Sequence, residues 1–471
     1  MINQLKSSNN YKTHFMNRNL HFKFIVLLAM LKICTATAQI TPELSSWLQN
    51  TTGIMGRHYV AGNSTPIQDN VLANVQTVQY SDSFMYVSTK GIPAYITGPF
   101  QDGNPSLATN QNAIFKISRF PVQNTGNPTN TTGGNIGVFI NGVALFDYRD
   151  GVSWKNSTNS LAGGPLMGMG DGVWNRDAVV GERLGFDCAK AHPAMGNYHH
   201  HQNPSAFGLD LDVISNVCDL YASDGLYAID STQHSPLLGF TYDGFPIYGA
   251  YAFKNADGTG GITRMKSSYA LRNITVRNTN AAGNTVTAGP PVSATYPLGY
   301  FREDYQYNTT SAATPDFLDQ HNGRFCITPE YPNGIYCYFT TVKENWNSAY
   351  PYVVGPTFYG RRTASKVTTI NETVQTFAPV ITQISSENTE NTLITYPNPA
   401  NDVVGIQWKN VNKGNVAIEL YDLSGKLIGT TEMKQGSSLA YFDTRNLYNG
   451  AYIIRVKIGN ELITKRISVQ H

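Results

Sequence analysis

The sequence predicts an all-β main domain with long loops, followed by a small C-terminal β-sandwich domain. Three observations point there. Only 14% of residues are charged while Gly (42) and Tyr (28) abound, a balance that suits turn-rich sheets and not long solvent-exposed helices. Apolar and polar residues alternate in short runs, and Gly, Asn and Pro clusters separate those runs. At 471 residues the chain also exceeds what one core usually organises, so two or more domains are expected.

Taken in order, residues 1–38 read as a signal peptide. Arg18 and Lys23 precede the apolar run Phe24 to Leu31, and Ala36-Thr37-Ala38 supplies the small residues that a signal peptidase needs. That run is too short for a bilayer span, which takes roughly 20 apolar residues, and nothing later resembles a transmembrane segment. Loss of the leader removes Lys6, Lys12, Arg18, Lys23 and Lys32 and no acidic residue, leaving 29 basic against 32 acidic groups. Such a balance implies no basic face, and nucleic acid and anionic lipid are poor partners for it.

From residue 39 to 375 a β-rich domain is expected. Val75 to Tyr80, Phe84 to Ser88, Ala113 to Ile117 and Ile136 to Ile140 read as strands, the last running into the hairpin signal Asn141-Gly142. Asn124 to Gly133 and Asn278 to Pro291 read as surface loops. A polar linker is expected over 376–392. Residues 393–471 then alternate as a sandwich does, in Val416 to Tyr421, Tyr452 to Val456 and Ile463 to Val469, with turns at Ser424-Gly425 and Asn449-Gly450.

Four motifs stand in order in that last segment: Tyr396-Pro397-Asn398-Pro399-Ala400, Leu420 to Lys426, Leu447 to Tyr452, and Lys465-Arg466-Ile467-Ser468-Val469. Together they resemble the type A sorting domain of type IX (Por) secretion cargo. The resemblance implies engagement of the type IX machinery through residues 393–471, tail cleavage, and a mature protein outside the cell or on the outer-membrane surface of a Gram-negative bacterium.

Export to an oxidising compartment leaves four cysteines to pair. The expected disulfides are Cys188–Cys218 and Cys326–Cys337, the second flanking the turn Tyr331-Pro332-Asn333-Gly334.

The chemical signal is histidine. Of ten, six lie between positions 192 and 321: His192, His199, His200, His201, His234 and His321. On a strand, His199 and His201 share one face and Tyr198 and His200 the other. Two imidazoles about 6–7 Å apart along a strand can converge on one ion, and neutral imidazole suits transition metals, Cu or Zn among them. His192, His234 and Asp243 are the candidates to complete the set, the two histidines foremost. Asp243 closes the strand Leu237 to Tyr242, ahead of Tyr248; it is a turn former in that setting, or an outer partner to a ligand imidazole. The alternatives are stacked, hydrogen-bonded rings in a Tyr-rich interior and metal-free acid/base chemistry.

These residues also carry a resemblance to the YHYH domain family over about residues 55–362. The matching pieces are Gly137 to Val143, Gly172-Val173-Trp174-Asn175, Phe186-Asp187-Cys188 with His192-Pro193, Tyr198 to His201, His234 through Gly249, Asn322 to Phe325, and Thr328 to Pro332. His200 replaces the motif's second Tyr. His321 stands where the family tends to have Cys, which makes it an added ligand or a lost cysteine. The resemblance implies membership and brings no reaction with it.

No His-Glu-x-x-His, Gly-x-Ser-x-Gly, P-loop or Cys-x-x-Cys motif is present. Asn255 to Thr259 opens like a calcium loop but has Lys266 where a bidentate Glu is required, so it reads as a turn. Three functions follow: a transition-metal protein using His199 and His201, a metal-free surface module binding glycan or protein, and a hydrolase pairing His234 with Asp243.

Overall fold

The computed structural model describes residues 41–100, 106–163, 170–206, 217–221, 223, 225–311, 313–363, 365–378, 393–408, 414–422, 426–458 and 461–471. The expected leader, most of the expected linker and the Ser424-Gly425 turn lie outside these. The chain divides into two compact units between Phe377 and Ala378. Thr376 and Phe377, expected in the linker, instead belong to an edge strand, Gln375–Phe377, paired with Val75–Tyr80.

The first unit is built on two sheets. One is five-stranded and antiparallel, in the order Ser365–Val367, Ala113–Ser118, Phe84–Thr89, Val75–Tyr80, Gln375–Phe377. Alternation along Ala113–Ser118 turns Ala113, Phe115 and Ile117 inward. They meet Val138, Leu145, Phe240, Ile247 and Phe339 from the second sheet, so one core joins the two layers.

The second sheet has eight strands, in the order Ala191–Ala194, Asn197–His200, Ala144–Phe146, Asn135–Phe139, Leu237–Thr241, Pro246–Tyr248, Ile335–Phe339, Gly323–Cys326. Every residue of its central Leu237–Thr241 strand is buried, as expected for a strand covered on both faces.

This sheet is an internal repeat. Its pairings read the same from either edge: antiparallel, parallel, antiparallel, then the same three mirrored across the central antiparallel contact of Leu237–Thr241 with Asn135–Phe139. Val138 lies opposite Phe240 at the centre, with Gly137 opposite Thr241 and Phe139 opposite Gly239. The pseudo-twofold places Gly137-Val138-Phe139-Ile140-Asn141-Gly142 on Gly239-Phe240-Thr241-Tyr242-Asp243-Gly244. Both turns close with a glycine at positive φ, +80° at Gly142 and +89° at Gly244, and a Cβ at Gly142 would lie 2.2 Å from Thr89 Oγ1.

The outer hairpins repeat as well. Asp187 accepts from the Ala189 and Ala191 amides and the Tyr198 hydroxyl; Asp319 accepts from His321, Gly323 and Tyr336 in the same pattern. Lys190 (φ +63°) and Asn322 (φ +65°) occupy the same left-handed position.

The Cys188–Cys218 disulfide is formed. The second expected pairing is not: Cys326 and Cys337 are buried free thiols. The hairpin register puts Cys326 opposite Ile335 and Cys337 opposite Arg324. The cysteines are therefore diagonal neighbours whose thiols hydrogen-bond to each other without a bridge.

The second unit is a sandwich. One sheet has the order Leu393–Tyr396, Val403–Trp408, Leu439–Asp443, and the other Leu427–Met433, Val416–Asp422, Gly450–Ile458, Glu461–Val469. Val404, Ile406, Ile418, Leu420, Ile454, Val456 and Ile467 form its core. Among the described residues no helix is long and apolar enough to cross a membrane.

Candidate metal centre

The site is made by the edge hairpin of the eight-stranded sheet. Met195 (φ +50°) and Gly196 (φ +81°) form its turn, and the register sets His192 directly opposite His199. Strand alternation returns His201 to the face of His199. All three imidazoles thus project from one surface, with their ligand nitrogens within 4.8 Å of one another. The Nε2 atoms of His199 and His201 are 3.0 Å apart.

Each of these two rings is oriented by its other nitrogen. His199 Nδ1 donates to the Asn197 carbonyl (2.8 Å) and His201 Nδ1 to the Asp147 carbonyl (2.6 Å). A carbonyl only accepts, so both Nδ1 atoms carry hydrogen, and His199, whose pKa burial drives far down, leaves a lone pair on Nε2. Phe146 stacks on His199 with centroids 3.8 Å apart, and the Phe186 and His192 rings meet edge-on at 4.9 Å. His192, His199 and His201 are 6%, 1% and 3% exposed, so bulk water does not solvate them freely.

Glu182 completes the cluster. It follows the short helix Ala178–Gly181, whose N-terminus is capped by Asp177. Its Oε2 lies 3.1 Å from His192 Nε2 and 3.2 Å from His201 Nε2. Burial by itself would raise the Glu182 pKa, but hydrogen bonds and charge from His192 and His201 outweigh it and hold the carboxyl well below its ordinary range. Burial pushes His199 far down, helped by its neighbours His201 and His192, so that ring is neutral. Glu182 escaped the sequence reading because a turn brings it in from outside any motif, with no spacing signal to mark it.

The separations suit an ion. With metal–ligand bonds of about 2.0–2.1 Å, a tetrahedral site has ligand-to-ligand edges of roughly 3.3 Å. Three of the contacts here are 3.0, 3.1 and 3.2 Å, and the three imidazole nitrogens spread to 4.8 Å, so the rings would draw in on binding. Three imidazole nitrogens are donors that Zn or Cu accepts, and the Glu182 carboxylate lies beside two of them.

The remaining candidates lie elsewhere. Tyr198 and His200 take the opposite face, as alternation requires: Tyr198 donates to Asp187, and His200 Nε2 is 2.8 Å from the Tyr95 hydroxyl. Burial drives the His200 pKa down to about 3. His234 is not a member of the cluster; its Nδ1 faces the Ser235 carbonyl, and its ring packs against Tyr248 and Phe253. Tyr248 donates to Glu330 and shares a hydrogen bond with Thr328. His321 is held by Thr357.

Asp243 does not support a ligand imidazole. Its carboxylate accepts from Thr241, Tyr338 and the Gly360 amide, which makes it a buried turn anchor. The hydrolase pairing with His234 also fails, because the Leu237–Thr241 strand, at roughly 3.3 Å per residue, separates the two at its ends.

The repeat supplies an internal comparison. The counterparts of His192, His199 and His201 in the second half are Arg324, Cys337 and Phe339. There the Arg324 guanidinium donates to the carbonyls of Phe253, Lys254 and Pro315 and lies over the Phe339 ring. The fold fills this slot without imidazole, so packing alone does not call for three of them. The counterpart of His200 is Tyr338, the residue type that the family motif has at the His200 position.

No curated protein matches the chain. Residues 395–470 match the secretion system C-terminal sorting domain, which makes this a secreted or cell-surface protein. The hairpin that builds the site lies inside a second match, to the family described as YHYH protein, which extends over residues 114–351. That match covers half the chain, and the chain belongs to the YHYH protein family.

Proposed function

We propose that this is an exported metalloprotein whose main unit holds one transition-metal ion, Zn or Cu, on the Nε2 atoms of His192, His199 and His201, with Glu182 as the fourth donor. The observation that carries this reading is three buried imidazoles whose ligand nitrogens lie within 4.8 Å of one another, with a carboxylate beside two of them. In the metal-free protein a proton on His201 holds the His199 contact and the Glu182 carboxylate together, and a metal ion would take that proton's place among the same nitrogens. Glu182, with its side chain 22% exposed, is the donor through which an outside ligand would reach the ion.

The leader at 1–38 and the sorting domain fit export by type IX secretion across the envelope of a Gram-negative bacterium, with the tail removed on arrival. The ion is then acquired outside the cytoplasm. Elemental analysis of protein purified without a histidine tag tests the reading: about one equivalent of Zn or Cu is expected per chain, and none in a His199→Ala/His201→Ala variant. A wild-type protein that stays metal-free after incubation with either ion sinks it.

A further inference from the structure

A groove elsewhere in the first unit has the chemistry of a ligand site. Its central part, of about 380 Å³, is lined by Tyr269, Tyr305 and Tyr350 and edged by Arg264, Lys266 and Lys343. At one end it shares Ser267, Tyr269 and Ala270 with a hollow of about 420 Å³ lined by Asn308, Thr309, Thr310 and Thr314. At the other it reaches Asn345 beside Arg264 and Lys343. Three adjoining hollows thus offer hydroxyl and amide groups, an aromatic floor, and a cationic end that also holds Glu344.

The floor is rigid. Tyr305 and Tyr350 stack with centroids 4.0 Å apart and 4° between planes, and Tyr269 meets Tyr350 edge-on at 5.4 Å. The Tyr269 hydroxyl is tied to the Gln320 carbonyl and that of Tyr350 to Tyr148. Tyr269 and Tyr305 remain half-buried. Fixed, partly exposed aromatic rings offer apolar area at little cost in conformational entropy.

The cationic end has charge to offer. Lys266 is paired with Asp316 at 2.8 Å. Arg264 donates to the Val342 carbonyl at 2.7 Å and, among the described residues, pairs with one carboxylate, that of Glu344 at 3.5 Å, which is 92% exposed. Among the described residues no carboxylate lies within ion-pair distance of Lys343, which is exposed.

The geometry points to an acidic oligosaccharide, one whose sugars carry carboxylates, as the ligand of this groove. The flat C–H face of a sugar ring covers a tyrosine, its hydroxyls pair with Ser, Thr and Asn, and its carboxylate pairs with Lys343 and Arg264. A secreted or cell-surface chain meets such polymers. Single-stranded nucleic acid, which also stacks on aromatic rings, fits less well, because the mature chain carries more acidic than basic groups and the groove has a neutral, hydroxyl-rich end. This site stands apart from the histidine cluster and does not depend on its metal.

Calorimetric titration of the full chain with galacturonate and mannuronate hexamers, maltohexaose and an oligothymidylate tests it. An acidic hexamer binds, at least ~10-fold more tightly than maltohexaose, and more weakly as salt rises. The exposed substitution Lys343→Glu lowers that affinity about 10-fold or more, and Tyr305→Leu removes the stacking share. Chelator and the His199→Ala/His201→Ala change leave it unaltered. No binding of either acidic hexamer, binding indifferent to Lys343→Glu, or tighter binding of the oligothymidylate overturns the assignment.

Discussion

His199 Nε2 and His201 Nε2 point at each other across 3.0 Å while the opposite nitrogen of each ring is committed to a backbone carbonyl. That relationship fixes both rings in place with their Nε2 atoms side by side. Phe146 and Phe186 keep water from the rings, so the pair cannot be solvated apart.

Glu182→Gln keeps the side-chain shape and removes the charge. Metal affinity is expected to fall about 10–100-fold, the size of effect seen when a partner of a metal site is lost. Competition with a chromophoric chelator measures it; unchanged affinity would remove Glu182 from the donor set.

His201→Phe places in the first repeat the residue type that its counterpart Phe339 has in the second. The variant is expected to fold, by circular dichroism, and to bind no metal. Wild type with metal at a hundredfold excess over its dissociation constant gains about 2.7 kcal/mol of stability, and this variant gains none.

The carboxylate hubs should be costly to remove. Asp187 accepts from Gly98, Ala189, Ala191 and Tyr198. Truncation in Asp187→Ala leaves those buried donors without an acceptor, for a loss on the order of 3–5 kcal/mol. Asp319→Ala at the equivalent position should cost a similar amount in urea unfolding. A loss under about 1 kcal/mol at either site contradicts the repeat-based assignment.

Stability should depend on pH through Asp177. Burial pushes its carboxyl up to about 7, against hydrogen bonds from Tyr352, Val179 and Val180. The folded pKa lies above the unfolded value of about 3.9. The contribution is therefore fully present below about pH 4 and is lost as pH rises through 7, by at most about 4 kcal/mol. Asp177→Asn should flatten urea midpoints between about pH 4 and 7, the window between the unfolded and folded pKa values; a parallel slope in both proteins refutes the assignment.

Thiol counting checks the cysteines. Unreduced protein should show two reactive thiols, Cys326 and Cys337, on unfolding, and essentially none when native, because both are buried. The Cys188–Cys218 bridge closes a 30-residue separation, and its removal is expected to cost about 3–4 kcal/mol.

Much of the fold was legible in the sequence because period-two alternation and Asn-Gly or Asp-Gly turns act locally. Ala113–Ser118 and the Asn141-Gly142 hairpin follow from neighbouring residues alone. The repeat was hidden, since Gly137-Val138-Phe139-Ile140-Asn141-Gly142 and Gly239-Phe240-Thr241-Tyr242-Asp243-Gly244 share few identities besides the glycines. Their likeness lies in register, a property of pairing between distant strands.

The sequence by itself determined the β class, the sorting domain, and the placing of His199 and His201 on one face, because strand alternation is a local rule. Tertiary structure decided which other groups join them. His192 enters through cross-strand register, Glu182 through the turn after a short helix, and His234 is carried away on a different strand. It likewise set Cys326 and Cys337 on a diagonal instead of face to face. Those outcomes depend on how strands pair across long stretches of chain, where packing of whole sheets, and not the pattern of adjacent residues, sets the distances.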